Sequence, residues 1–341
     1  MINSHRFTGG IILLLLITLG GYATVMSTAS AAQSAKMAPL LMVVHKDSNR
    51  LAFIDPATKQ VLGHAKTGFA PHEVTVVASQ QRAYVADYGT RSQPGHTLSV
   101  IDVQQRQKVG EIDLSPYTRP HGIVASADGR HLYVTCEGRQ ALVVVDTHQQ
   151  RVSHAIQTEQ RGSHMVVISP DERHAYVANL GSDTVTVLDL SQRRIQEQIV
   201  VGAGAEGIGI SPDGSALFVA SRDIDRLTRI NTSTGAVEQQ VDTASFPIRV
   251  HVTPDGRQVL VSALMAGVVQ VFESQTLALV KRIEVGGGPL GVFIMPDGST
   301  AYVAQPGADR IAVVDMKTWD VVARFRSPGG PDGMAYMAAS Q

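Results

Sequence analysis

Apolar residues along this chain come in short bursts separated by turn-forming residues, and several bursts alternate apolar with polar positions. Around residue 176 the order reads SHMVVIS, PDER, HAYVAN, TVTVLDL, SQRR and IQEQIVVG. TVTVLDL has the period-2 pattern of a strand with one buried face. The neighbouring bursts are short, rich in β-branched residues and bounded by Gly, Pro, Asp or Ser, which marks strands joined by turns. Apolar residues at helical spacing are absent throughout. One such unit predicts four antiparallel strands.

The unit recurs. RAYVADYG, HLYVTCEG, HAYVANLG, ALFVASRD, QVLVSALM, TAYVAQPG and, near the start, PLLMVVHKD share one pattern. Their register residues are Met42, Tyr84, Tyr133, Tyr176, Phe218, Leu260 and Tyr302, at gaps of 42, 49, 43, 42, 42 and 42. Self-similarity at this period marks a solenoid or a propeller, and four strands per unit match a propeller blade. The chain enters on a second strand, LLMVV, and leaves on a first strand, PDGMAYMA. Pro331 lies 42 residues after Pro289, so the last strand is in register to complete the blade that the first one begins. The expectation is an all-β fold over residues 39–341: a seven-bladed β-propeller of four-stranded antiparallel blades. Pairing of the terminal strands closes it and removes two exposed sheet edges.

The segments AYVAN and SPDG and the strand endings VID and VLD resemble the YVTN-family β-propeller repeats, over roughly residues 39–338. The resemblance implies the architecture. Related propellers are surface-layer repeats, lactonase-type propellers and the haem d1-binding domain of nitrite reductases. A scaffold this versatile leaves activity to its sites.

Composition narrows the classes. With 44% hydrophobic and 17% charged residues the chain can bury a sizeable core, and a net charge of −1 with no Lys/Arg run speaks against nucleic acid as a partner. A single cysteine, Cys136, allows neither an internal disulfide nor a cysteine-only zinc site. Residues 1–32 read as a secretory signal peptide: Arg6, the apolar run IILLLLITLG, then small residues with Ala29-Ser30-Ala31 as the cleavage site. Residues 33–38 would be a short linker. The expected location is periplasmic or secreted, with no membrane span after cleavage. The alternative is an uncleaved N-terminal membrane anchor, because the apolar stretch continues through GYATVM. A monomer is expected.

Candidate chemistry gathers on one face. Aligning the position after the first-strand proline gives His72, His121, His164, Glu206, Ile248, Leu290 and Asp332, and the second strands end in His45, Asp87, Cys136, Asn179, Ser221, Ala263 and Gln305. Antiparallel neighbours bring the start of one strand beside the end of the next, so both sets should border one mouth of the central channel. Imidazoles and carboxylates together suit a divalent metal. His72, His121, His164 and Glu206 are the candidate ligands, with Glu73 or Glu206 orienting an imidazole. A metal-bound water would then serve lactone hydrolysis. The third reading is a tetrapyrrole with one histidine as axial ligand. Against these stands a simpler account, in which duplication copied the Pro-His pair without a shared task.

Further candidates flank the mouth. The second blade carries seven extra residues, five of them in DYGTRSQPGHTLSVID, which offers Tyr88, Arg91 and His96 to a partner. Arg119, Arg161 and Arg249 could receive an anionic ligand. Cys136 is either a nucleophile or an inert small apolar residue. GAGAEG and GGGPLG fit G-x-G-x-x-G, but strands follow them where a dinucleotide site needs a helix. Asp55, Asp102, Asp146, Asp189 and Asp315 end third strands and should bond the next turn. The resulting expectation is a binding or scaffolding module that recognises a small molecule or protein at the histidine-bearing mouth. A metal-dependent lactonase-like hydrolase and a tetrapyrrole-binding protein are the alternatives.

Overall fold

The computed structural model describes residues 37–339. The expected signal segment and most of the linker after it lie outside the described residues. Among the described residues, the strands form seven four-stranded antiparallel sheets, and no helix is long and apolar enough to cross a membrane. The fold is a seven-bladed β-propeller.

The ring closes as the terminal registers require. Pro331–Met337 is the innermost strand of the blade whose other strands are Leu40–His45, Arg50–Ile54 and Val61–Lys66. Leu41 pairs with Tyr336 and Met42 with Ala335. In the other six blades the chain runs outward from hub to rim, so the innermost strands are Pro71–Val77, Pro120–Ala125, Ser163–Ile168, Ala205–Ile210, Pro247–Val252 and Val292–Ile294.

Alternating side chains place the core between blades. Tyr84, Leu98 and Val100 of the second blade pack against Ile123, Leu132 and Val134 of the third, and Phe218 and Leu227 of the fifth meet Val250, Val259 and Phe272 of the sixth. Burying each such side chain contributes about 1.5–3 kcal/mol, and a closed ring supplies every blade with two neighbours to bury against. The third-strand aspartates act as turn locks: Ala57 N–H donates to Asp55 Oδ1, Gln105 N–H to Asp102, His148 N–H to Asp146, Gln192 N–H to Asp189 and Lys317 N–H to Asp315.

Two irregularities shape the upper face. The insertion lengthens one hairpin, whose strands Arg82–Gly89 and Pro94–Asp102 run to eight and nine residues against six in most blades. There the chains pass so closely that a Cβ on Gly95 would overlap the Asp87 carbonyl. The second irregularity repeats. Each of six innermost strands slips register near its start, between Pro71 and Val74, Pro120 and Ile123, Ser163 and Met165, Ala205 and Gly207, Pro247 and Arg249, and where Pro331–Met337 pairs with Val43 and His45. A β-bulge frees one or two residues from the ladder and re-aims their side chains. The freed residues are His72 with Glu73, His121 with Gly122, His164, Glu206, Ile248, and Asp332 with Gly333.

Candidate ligand site at the channel mouth

The bulges turn one residue toward the hub in six blades, and in the seventh Leu290, just before the innermost strand, takes the equivalent place. His72, His121, His164, Glu206, Ile248, Leu290 and Asp332 all border a single cavity of about 300 Å³. Asp332, the three histidines and Glu206 form a continuous polar arc. Ile248, Leu290, Leu264 and Phe246 make the opposing apolar wall.

The second-strand ends lie elsewhere. His45, Cys136 and Asn179 are fully buried and Asp87 nearly so, and none borders the cavity. Their partners belong to blade structure: His45 Nε2 meets Ser327 Oγ, Asn179 Nδ2 donates to Thr184 and Thr186, and Asp87 accepts from Ser99, Thr97 and the Gly68 N–H. Burial raises Asp87 to about 6 against these hydrogen bonds. Burial, helped by Glu137, pushes the Cys136 thiol far above its ordinary range, which removes it as a nucleophile. The physical reason is the two-residue period of a strand. The last strand residue points between blades, and the next residue points to the mouth.

That next residue supplies chemistry that strand-end alignment misses. Lys46, Tyr88, Glu137, Leu180, Arg222 and Leu264 occupy equivalent places and all border the cavity. Their signal in sequence is the lack of likeness from one repeat to the next, at a position flanked by well-repeated residues.

Electrostatics divides the histidines into two kinds. His164 Nδ1 lies 2.6 Å from Glu137 Oε1, and its Nε2 lies 3.6 Å from Glu206 Oε1. Burial works to depress its basicity, but the two carboxylates prevail and hold it at about 9, so it is an imidazolium at neutral pH. His72 and His121 are neutral. Burial takes His72 down to about 4 against the pull of Asp332, and takes His121 well below its ordinary value, with the charge of His164 adding to the effect. The His121 and His164 rings stack, with centroids 3.7 Å apart and planes at 29°.

Hydrogen bonds brace the arc. Tyr88 donates its hydroxyl hydrogen to Glu137 Oε2 at 2.7 Å, and Arg119 donates to the Tyr88 oxygen and to the carbonyls of Thr90 and Arg91. The insertion hairpin is thereby tied to the mouth. Arg222 Nη1 donates to Glu206 Oε2 at 2.7 Å. Arg249 is buried beneath the mouth. Its Nη2 donates to Glu73 Oε1 at 2.5 Å and lies 3.6 Å from Asp332 Oδ1. It is thus committed to protein carboxylates and is not an open anion receptor. Arg91, His96 and Arg161 are exposed and lie outside the cavity lining.

The sequence matches the YNCE-like beta-propeller description over residues 43–300. The chain belongs to that family. No curated protein matches it. The YNCE-like chain is similar in fold to the periplasmic gluconolactonase PpgL of Pseudomonas aeruginosa, with 20% identity and a TM-score of 0.74 over 89% of this chain and 100% of that one. It is also similar to hydrazine synthase of Kuenenia stuttgartiensis, with 23% identity and a TM-score of 0.72 over 81% and 92%. A third similar structure is the dihydro-heme d1 dehydrogenase NirN in complex with DHE, with 18% identity and a TM-score of 0.65 over 85% of this chain. The YNCE-like chain spans 64% of NirN. At these identities the likeness is one of fold.

The proposed metal set does not fit this geometry. Among the described residues no three His, Cys, Asp or Glu side chains are placed to hold one ion. His72, His121, His164 and Glu206 share a cavity without converging. His121 presents its ring face to His164, whereas ligation needs nitrogen lone pairs aimed at one point. A tetrapyrrole axial ligand meets the same obstacle at this stacked pair, and the cavity lies at the small end of the range of about 300–1,000 Å³ found for small-molecule sites.

Proposed function

We propose that this propeller binds a small, uncharged, hydroxyl-bearing molecule at the mouth. The observation that carries the reading is a set of buried polar atoms without partners around the cavity: both carboxylate oxygens of Asp332, His121 Nδ1 and His164 Nε2. Buried polar atoms are ordinarily hydrogen-bonded, and leaving one unpaired costs about 1–3 kcal/mol. Asp332 asks for donors, since Lys46, His72 and Arg249 stand 3.6–3.9 Å from it, beyond hydrogen-bond reach. The His164 imidazolium asks for an acceptor. A hydroxyl group serves as both.

Charge supports a neutral ligand. At the mouth Lys46, Arg222, Arg249 and the His164 cation face Glu137, Glu206 and Asp332, and Arg249 is also paired with Glu73 outside the mouth lining, so no basic group is left over for an anion. Shape supports a ring with an apolar face and a polar rim, because Ile248, Leu264, Leu290 and Phe246 stand opposite the polar arc. Sugars, polyols and sugar lactones have these features. Calorimetric titration with such compounds is the test. A saturable ligand lost in Asp332→Asn and His121→Phe supports the proposal, and a panel without any binder removes it.

Lactone hydrolysis is a second reading, favoured by the stacked His121–His164 pair. The neutral imidazole could accept a proton from water while the imidazolium polarises the ester carbonyl. A gluconolactonase among the similar folds gives the substrate to try first. Ring opening that survives a chelator and disappears in His121→Phe would favour it.

A further inference from the structure

The mouth is the upper of two compartments on the hub axis. A second cavity, of about 390 Å³, lies below it, and every one of the seven innermost strands contributes to its lining. Arg249 borders both cavities, and Glu73, which accepts its hydrogen bond, borders the lower one. Their ion pair therefore forms a charged partition, with a polar mouth on one side and a bore on the other.

The bore is unlike the mouth. Half-buried Val124, Met165, Val167, Ile210, Phe293 and Met334 line it, and the polar side chains beyond the partition pair reduce to His251. A passage that only carried water would gain from polar lining, whereas a continuous exposed apolar surface marks a binding site. Burial, with the charge of Arg249 adding to it, keeps His251 neutral down to about pH 4. Arg249 is already shared among Glu73, Glu206 and Asp332, so it offers no counter-charge to an anion. An engineered apolar cavity of about 150 Å³ accepts benzene, and the bore is more than twice that size.

We infer that the lower bore is a second ligand site, which takes one uncharged aliphatic molecule carrying a single hydrogen-bonding group, entering from the face opposite the histidines. Its hydroxyl meets His251. That residue lies two positions beyond Arg249 on the same strand, roughly 7 Å further from the partition at about 3.4 Å per residue.

The probe is 1-hexanol, titrated into the 341-residue chain by calorimetry, with hexanoate as the charged comparison. The expected result is saturable binding of one hexanol, at least tenfold tighter than hexanoate. The doubly filled variant Val167→Phe/Ile210→Phe should weaken it at least tenfold, and Asp332→Asn in the mouth should leave it unchanged. Should the filled variant fail to fold, a crystal pressurised with xenon reads the same site by density in the bore. Unsaturable heats, equal affinity for hexanoate, hexanol binding that survives filling, or a column of ordered water in place of xenon would each overturn the assignment.

Discussion

Arg249 and Glu73 face each other across the hub, Nη2 to Oε1 at 2.5 Å, although 176 residues separate them in the chain. The pair reaches from the second blade to the sixth, across the ring. Replacing Arg249 by Met leaves Glu73, Asp332 and Glu206 buried around an uncharged side chain. Breaking a buried pair from one side costs about 3–5 kcal/mol. Urea unfolding should show a loss of that order, and Glu73→Gln added to Arg249→Met should recover part of it. Strictly additive losses would mean that the two residues are not coupled.

Stability should peak near pH 6.5 and fall on both sides. His164 has a folded value of about 9, above its unfolded 6.5, so its contribution is complete below pH 6.5 and lost as pH rises through 9. The shift is worth on the order of 3 kcal/mol. His45, His72 and His251 have folded values of about 4, so the unfolded chain gains protons first and stability drains away between pH 6.5 and 4. Melting temperature against pH checks both limbs, and His164→Gln should flatten the alkaline limb and, by removing a charge that depresses His72 and His121, also soften the acid limb.

Cys136 should be silent toward thiol reagents in the native protein and reactive once the chain is unfolded. The side chain is fully buried within the cluster that joins the second and third blades, and its thiolate is strongly disfavoured. Labelling in buffer and in denaturant, followed by mass, distinguishes the two states. Rapid native labelling would show that the blade interface opens.

Gly333→Ala should destabilise the ring far more than Gly286→Ala. A Cβ at 333 would stand 2.5 Å from the His72 carbonyl oxygen and from Glu73 Oε2, where the closing strand passes the second blade. Overpacking of this kind costs about 1–3 kcal/mol. At 286 a Cβ meets nothing within 4 Å, so only the left-handed backbone (φ +72°) penalises the substitution, by about 1 kcal/mol. Thermal unfolding of the two variants gives the comparison.

Much of this was legible in the sequence. The 42-residue period, the four strands per unit and the unmatched strands at the two ends led to the number of blades and the mode of closure. The seven mouth positions could be aligned by counting from the first-strand proline, because each repeat builds its hub from the same local pattern. The strand-end residues were misplaced by a single position. Alignment selects His45, Asp87, Cys136 and Asn179, whereas Lys46, Tyr88, Glu137 and Leu180 border the cavity. A period of two reverses the direction of a side chain with each step, so a one-residue error exchanges interior for mouth.

Periodicity determined the ring, since hydrophobic alternation and turn spacing are local properties that every repeat restates. Tertiary structure decided the chemistry. Whether an imidazole is neutral, like His121, or cationic, like His164, depends on the carboxylates that other blades bring beside it and on the water they exclude. The partition between mouth and bore likewise exists only once blades far apart in sequence have met across the axis.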